Sequence, residues 1–194
     1  MDTLHELFED MLKDVYFAET AITKALPKMI KAAHAKALQA AFTEHLAETK
    51  QQIARLDEVF GIIGMKPAGK ECKAILGIIA EGDELIGEKP AAAVLDAGLL
   101  AVGQAVEHYE MARYGTLRAW ADQLGLGDAA KLLEQTLAEE KSADAKLSVL
   151  ALGDINARAD ADHDAPGIRD GAHVAKDGAH KDGAQRPKAS PASR

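Results

Sequence analysis

Apolar residues recur at intervals of three and four through most of the first 155 positions, the rhythm of helices with one face turned to a core. Leu4, Leu7, Phe8, Met11, Leu12, Val15, Ile22, Leu26, Met29 and Ile30 keep it from about Thr3 to Ala33, which predicts a long helix that could kink at Pro27. A second series, Leu38, Phe42, His45, Thr49, Gln52, Ile53, Leu56, Val59 and Phe60, predicts another helix ending near Ile63, before Gly64 and Pro67. The short join between the two predicts an antiparallel hairpin.

From Glu71 to about Ile86 runs a shorter amphipathic stretch, read as a crossover helix, and Pro90 behind it suits the first turn of a new helix. The third long helix is expected from Ala91 to about Leu124, stopping at Gly125. Asp128 is placed to cap a fourth, reaching about Ile155, with Leu133, Leu137, Glu140, Asp144, Leu147 and Ala151 on its buried stripe. The pattern thus predicts an all-α fold, a four-helix bundle with one extra short crossover helix.

Composition divides the chain. With 194 residues and 47% of them hydrophobic, there is material for one domain with a sizeable core, assigned to residues 1–155. After that the aromatic residues stop and a near-repeat begins, Asp170-Gly171-Ala172-His173, Asp177-Gly178-Ala179-His180 and Asp182-Gly183-Ala184-Gln185. Residues 156–194 are therefore expected to be a disordered low-complexity tail.

The net charge of −8 falls on the helical part, since the tail holds seven cationic and six acidic residues. An acidic surface repels nucleic acid and anionic membranes, so neither is expected as a partner. No stretch approaches the roughly 20 apolar residues of a membrane helix, and the start MDTLHELFED lacks the basic and apolar regions of a signal peptide, so a cytoplasmic location is expected. The single Cys72 reads as a small buried apolar residue.

Against this apolar pattern, Glu19, Glu48, Glu107 and Glu140 each fall within a different long helix. An ionised carboxylate is too costly to bury unless it binds a metal, pairs with a base or takes up a proton. Counted from the expected turns at ~1.5 Å per residue, Glu19 and Glu48 lie at similar depth, as do Glu140 and Glu110, with Glu107 one turn further along. Either Glu107 or Glu110 could serve, because residues three apart share a helix face.

Glu19 is in phase with Leu12, Ile22 and Leu26, and Glu140 with Leu133, Leu137 and Leu147. Glu48 stands three residues after His45, and Asp144 extends the acidic face of the fourth helix. Hard oxygen donors gathered in a bundle suit iron, manganese or magnesium, and two bridged ions would relieve the repulsion among the acids. His45, alternatively a core histidine, and the outer-face His108 are further candidate ligands, and Tyr16, three residues from Glu19, reads as an ordinary bundle filler or, alternatively, as a donor beside that acid.

The blocks Ala25-Leu26-Pro27-Lys28-Met29, His45-Leu46-Ala47-Glu48-Thr49, Val106-Glu107-His108-Tyr109-Glu110, Tyr114-Gly115-Thr116-Leu117 and Glu139-Glu140-Lys141 resemble the YciE/YciF family of bacterial stress proteins over about residues 4–155. That resemblance implies a ferritin-like, rubrerythrin-like bundle, a homodimer and a stress-associated role. It also selects Glu19, Glu48, the pair Glu107 and Glu110, and Glu140 as a ligand set. This chain has Gln51 and Ala143 where the rubrerythrin pattern has histidines.

Two functions follow as expectations. The first is a carboxylate-bridged di-iron or di-manganese site, with Glu19, His45, Glu48, Glu107, Glu110, Glu140 and Asp144 as candidate ligands, that reacts with dioxygen or peroxide. The alternative is a non-enzymatic dimeric stress protein whose acidic centre is vestigial or holds a single cation. The missing histidines favour the alternative, while the apolar Leu99, Leu100 and Val102 on more than one side of the third long helix suggest the dimer face.

Overall fold

The structure, a computed structural model, describes residues 1–161. Six α-helices follow one another: α1 (Leu4–Ala32), α2 (Lys36–Ile62), α3 (Lys73–Glu88), α4 (Ala92–Gln123), α5 (Gly127–Leu150) and α6 (Asn156–Ala161). The periodicity located the long helices to within a few residues, and Pro27 lies inside α1 without ending it. One turn of π-helix, Ala151–Ile155, joins α5 to α6 and keeps Ala151 and Ile155 on the buried side.

Local chemistry explains the ends. Thr3 caps α1, its hydroxyl accepting from the Glu6 amide at 3.1 Å, while the Glu6 carboxylate accepts from the Asp2 amide at 2.6 Å. Gly64 and Gly125 take positive φ angles of 71° and 73° beyond α2 and α4. In each case the next residue's amide reaches back over the turn, Met65 to the Phe60 carbonyl and Leu126 to the Ala121 carbonyl. Asp128, expected as the cap of α5, instead lies in its first turn and pairs with Lys131, the cap position being Leu126.

The start of α2 has no capping side chain of its own. Asp96 of α4 supplies one from 61 residues away, its two carboxylate oxygens accepting from the His34 and Ala35 amides at 2.6 and 2.8 Å. This contact sets the start of α4 beside the α1–α2 turn, so α4 runs parallel to α2 and α3 must carry the chain back along the bundle. Around the bundle α1 packs on α2 and α4, α5 packs on α2 and α4, and α3 lies over the junction of α1 with α4.

The core has two apolar parts. Leu26, Leu38, Phe42, Leu99, Leu100 and Leu147 belong to one, and Phe8, Leu12, Leu56, Phe60, Leu117 and Leu133 to the other. Leu99 and Leu100 are therefore core residues and not an outer dimer face; α4 is apolar on several sides because α1, α3 and α5 all cover it. Large apolar side chains do reach solvent at Val149 and Leu152.

Residues 156–161, assigned from composition to the tail, continue the helix as α6; the rest of that tail, including His163, His173 and His180, lies outside the described residues. Cys72 is buried as expected, its Sγ 3.0 Å from the Tyr109 hydroxyl, which donates to Asp14. No helix among the described residues is long and apolar enough to cross a membrane.

Candidate metal centre

Between the two apolar halves of the core lies a polar layer. α1 contributes Glu19, α2 contributes His45, Thr49 and Gln52, α4 contributes Glu107 and Glu110, and α5 contributes Thr136 and Glu140, all buried. Helical phase accounts for the layer. The α2 stripe advances alternately by four and three through Leu38, Phe42, His45, Thr49, Gln52, Leu56 and Val59, so the polar members occupy core positions of an otherwise apolar seam.

His45, Glu107, Glu110 and Glu140 each present one ligand atom, and these four atoms lie within 4.8 Å of one another. His45 Nε2 stands 3.6 Å from Glu107 Oε1 and 3.9 Å from Glu110 Oε2. Glu19 joins the group from α1, where its Oε1 accepts a short hydrogen bond from the Tyr114 hydroxyl. The pair Glu107 and Glu110, left open by sequence, both face the centre.

Two expected ligands stand apart. Glu48 lies one residue off the α2 stripe and is only partly buried, 3.9 Å from the Lys146 ammonium at the edge of the bundle. Asp144 lies at the α4–α5 seam, where Oδ1 is 3.3 Å from Nε2 of the exposed His108 and 3.4 Å from the Gln104 amide nitrogen. Both remain close enough to push the Glu107 pKa upward by charge. Tyr16 is not the aromatic partner of Glu19; its ring meets Phe60 edge-on, with centroids 5.5 Å apart. Tyr114, four residues after Glu110 and seven after Glu107, takes that place, and its spacing from the glutamates was a signal available in the sequence.

Arg55 and Glu139 were missed as well. The Arg55 guanidinium grips Glu139 through two parallel bonds of 2.9 and 2.8 Å and donates to Thr136 Oγ1 at 2.6 Å, while the Gln52 amide nitrogen donates to Glu139 at 3.2 Å. This bidentate clamp fixes α2 against α5 beside the centre.

Burial dominates the electrostatics. It raises the pKa of Glu19, Glu110 and Glu140 well above the usual carboxylate range, and mutual repulsion adds to it. Glu107 is pushed up to about 8, by burial first. Burial, helped by Lys146, lowers His45 to about 4. A neutral imidazole keeps a ring nitrogen lone pair available to a metal.

Both nitrogens of His45 and, with the acids ionised, both oxygens of Glu110 and of Glu140 have no hydrogen-bond partner. Protonation offers one remedy, with Glu140 donating to Glu107 and Glu110 donating to Glu19. Cation binding offers the other. Four carboxylates with one neutral imidazole form a hard, anionic donor set that fits iron or manganese, whereas the nearest cationic side chains, Arg55 and Lys146, are committed to Glu139 and Glu44.

Residues 3–160 match the profile of DUF892, described as a domain of unknown function. Protein YciF of Escherichia coli strain K12 is 44% identical over 161 residues, covering 82% of this chain and 97% of YciF. The crystal structure of that E. coli stress protein superposes with a TM-score of 0.77 over 80% of this chain and 99% of its own. YcfI of Rhodopseudomonas palustris, described as a candidate structural protein, is 52% identical, with a TM-score of 0.75 over 76% of this chain and 94% of its own. A profile spanning most of the chain makes it a member of the DUF892 family, and along nearly the whole length of the stress protein YciF it is similar to that protein in sequence and in helical fold.

Proposed function

We propose that the polar layer binds one or two redox-active metal ions, iron or manganese, and that the protein acts on dioxygen or peroxide under stress. The observation that carries this reading is the meeting of His45, Glu107, Glu110 and Glu140 in a buried layer where their oxygens and nitrogens find so few partners. Glu19 completes the donor set, and Glu48, partly buried beside Lys146, is the acid placed to join it by a side-chain rotation. Iron or manganese bound there would supply reversible electron transfer to oxygen species.

The chain's own residues provide the setting. Tyr114 orients Glu19 by donating to Oε1. Arg55 and Glu139 hold α2 and α5 at fixed separation. A proton shared between Glu107 and Glu140 is released when a cation takes its place, so binding should free protons. The two apolar halves of the core keep bulk water from the layer.

The test is thermal unfolding of the full chain with and without saturating Fe(II) or Mn(II). A ligand held only by the folded state stabilises by about 2.7 kcal/mol at a hundredfold excess over Kd, so the melting temperature should rise. Glu140→Gln should remove the rise, and elemental analysis of untagged protein should find iron or manganese in stoichiometric amount. A melting temperature indifferent to metal would sink the proposal.

A second reading has its own observation. With burial pushing Glu107 up to about 8 and raising Glu19, Glu110 and Glu140 well above the usual carboxylate range, the layer can be made neutral by protons alone, as a non-enzymatic stress protein would require. In either case we propose a homodimer, with Val149 and Leu152 among the exposed apolar residues available to an interface.

A further inference from the structure

Two narrow cavities reach the polar layer from opposite sides, and their walls differ in kind. The first lies between α1, α2, α3 and α4 and has a volume of about 20 Å³. Its inner end is formed by His45 and Glu107, and its walls by Leu26, Phe42, Val102 and Val106. At its outer end Ala25, Ile79 and Asp83 also line a surface groove between α1 and α3. The second cavity, about 10 Å³, opens between α2 and α5, where Glu44, Glu48 and Lys146 stand at its mouth, and it ends on the same His45 and Glu107.

Two glycines border the apolar cavity in the middle of helices, where glycine costs roughly 0.5–1 kcal/mol relative to alanine. A Cβ on Gly82 would come within 3.2 Å of Val102 Cγ1, and one on Gly103 within 3.0 Å of the Phe42 ring. Side chains there would crowd the walls. The crossover helix α3 roofs the cavity and is tied to α1 by the Lys28–Asp83 ion pair at 2.6 Å.

The wall chemistry selects what can pass. About 10–15 Å³ of such space is enough for one water-sized molecule, and cavities lined by aliphatic and aromatic groups stay dry. A molecule that must keep its hydrogen bonds would lose them along these walls at a cost of several kcal/mol. Dioxygen has none to lose, whereas peroxide and hydrated cations are better matched to the charged mouth at Glu44 and Glu48.

We propose that the apolar cavity is the entry route for dioxygen to the polar layer, which makes dioxygen, admitted beneath α3, the oxidant that this centre takes from that side. The inference rests on the metal reading of the layer, and Ala25 and Val102, which line the cavity and are not candidate ligands, allow it to be tested separately. Xenon is an apolar probe of the same cavity and needs no metal. The metal-free full chain should bind xenon by ¹²⁹Xe NMR, Val102→Ala should bind it more strongly, and Ala25→Phe, at the partly exposed outer end, should bind it weakly or not at all.

With Fe(II) loaded, Ala25→Phe should slow iron oxidation by dioxygen about tenfold, equivalent to ~1.4 kcal/mol on the barrier, with oxidation by hydrogen peroxide unchanged. Its metal-dependent rise in melting temperature should equal that of the wild type. Absence of xenon binding in both wild type and Val102→Ala, or equal slowing of both oxidants, would overturn the route while leaving the metal centre standing. A wild type that binds xenon but has no thermal response to metal would overturn the metal centre and with it the role of the route.

Discussion

Tyr114 and His45 show how much one side chain can decide. The Tyr114 hydroxyl donates to Glu19 Oε1 in the buried centre, so Tyr114→Phe takes that bond from a buried acid. We expect a loss of about 1–3 kcal/mol in chemical denaturation of the metal-free protein. A pH titration of the same protein tests the glutamates. Glu107 keeps its proton to about pH 8 when folded and loses it near 4.5 when unfolded, so its contribution is full below 4.5 and declines as pH rises toward 8. His45 has the opposite sign, since its folded pKa is lowered from 6.5 to about 4, and stability gained from it rises with pH only within that window. Above pH 6.5 the carboxylates act alone, so metal-free stability should fall by roughly 2 kcal/mol between pH 6.5 and 8 for Glu107 alone. Saturating Mn(II) should flatten that slope; a slope of the same size with and without metal would count against cation binding at these groups.

Among the helices, the contact most exposed to test is the reach of Asp96 from α4 to the two free amides before α2. Asp96→Ala should cost about 1–2 kcal/mol, the range of a lost N-cap, and amide hydrogen exchange should show the gain in opening concentrated at the first turn of α2. Phase within each helix was legible in the sequence because burial follows a 3.6-residue period. The α2 stripe runs through His45 and Thr49, so Glu48 falls on its flank even though it lies at a suitable depth. The departure of Glu48 from the centre thus follows from angle, which a count of rise per residue does not include.

For the whole molecule, all of the buried apolar residues among those described lie between Phe8 and Ile155, and the family profile ends at residue 160. A chain ending at Ala161 should therefore keep its helical signal and cooperative melting, whereas one ending before Ala151 would lose two buried residues and should melt earlier. Light scattering of the full chain at micromolar concentration should give a dimeric mass, and charged residues in place of Val149 and Leu152 should lower it toward the monomer if that surface is the interface.

The amino-acid sequence by itself determined the helices, their approximate ends and the presence of acids on apolar faces, because each of these is a local periodicity or a local steric preference. It also carried the family resemblance, through blocks that surround the glutamates. Only the tertiary structure decided which acids meet. Rotation of α2 chose His45 over Glu48, packing of α4 between α1 and α5 brought in both Glu107 and Glu110, and the α4–α5 seam kept Asp144 outside. The cap from Asp96, the Arg55–Glu139 clamp and the apolar cavity beneath α3 join residues far apart in the chain. Such features depend on the relative rotation and offset of whole helices, which are set by packing across the bundle and leave no periodic trace in any one segment.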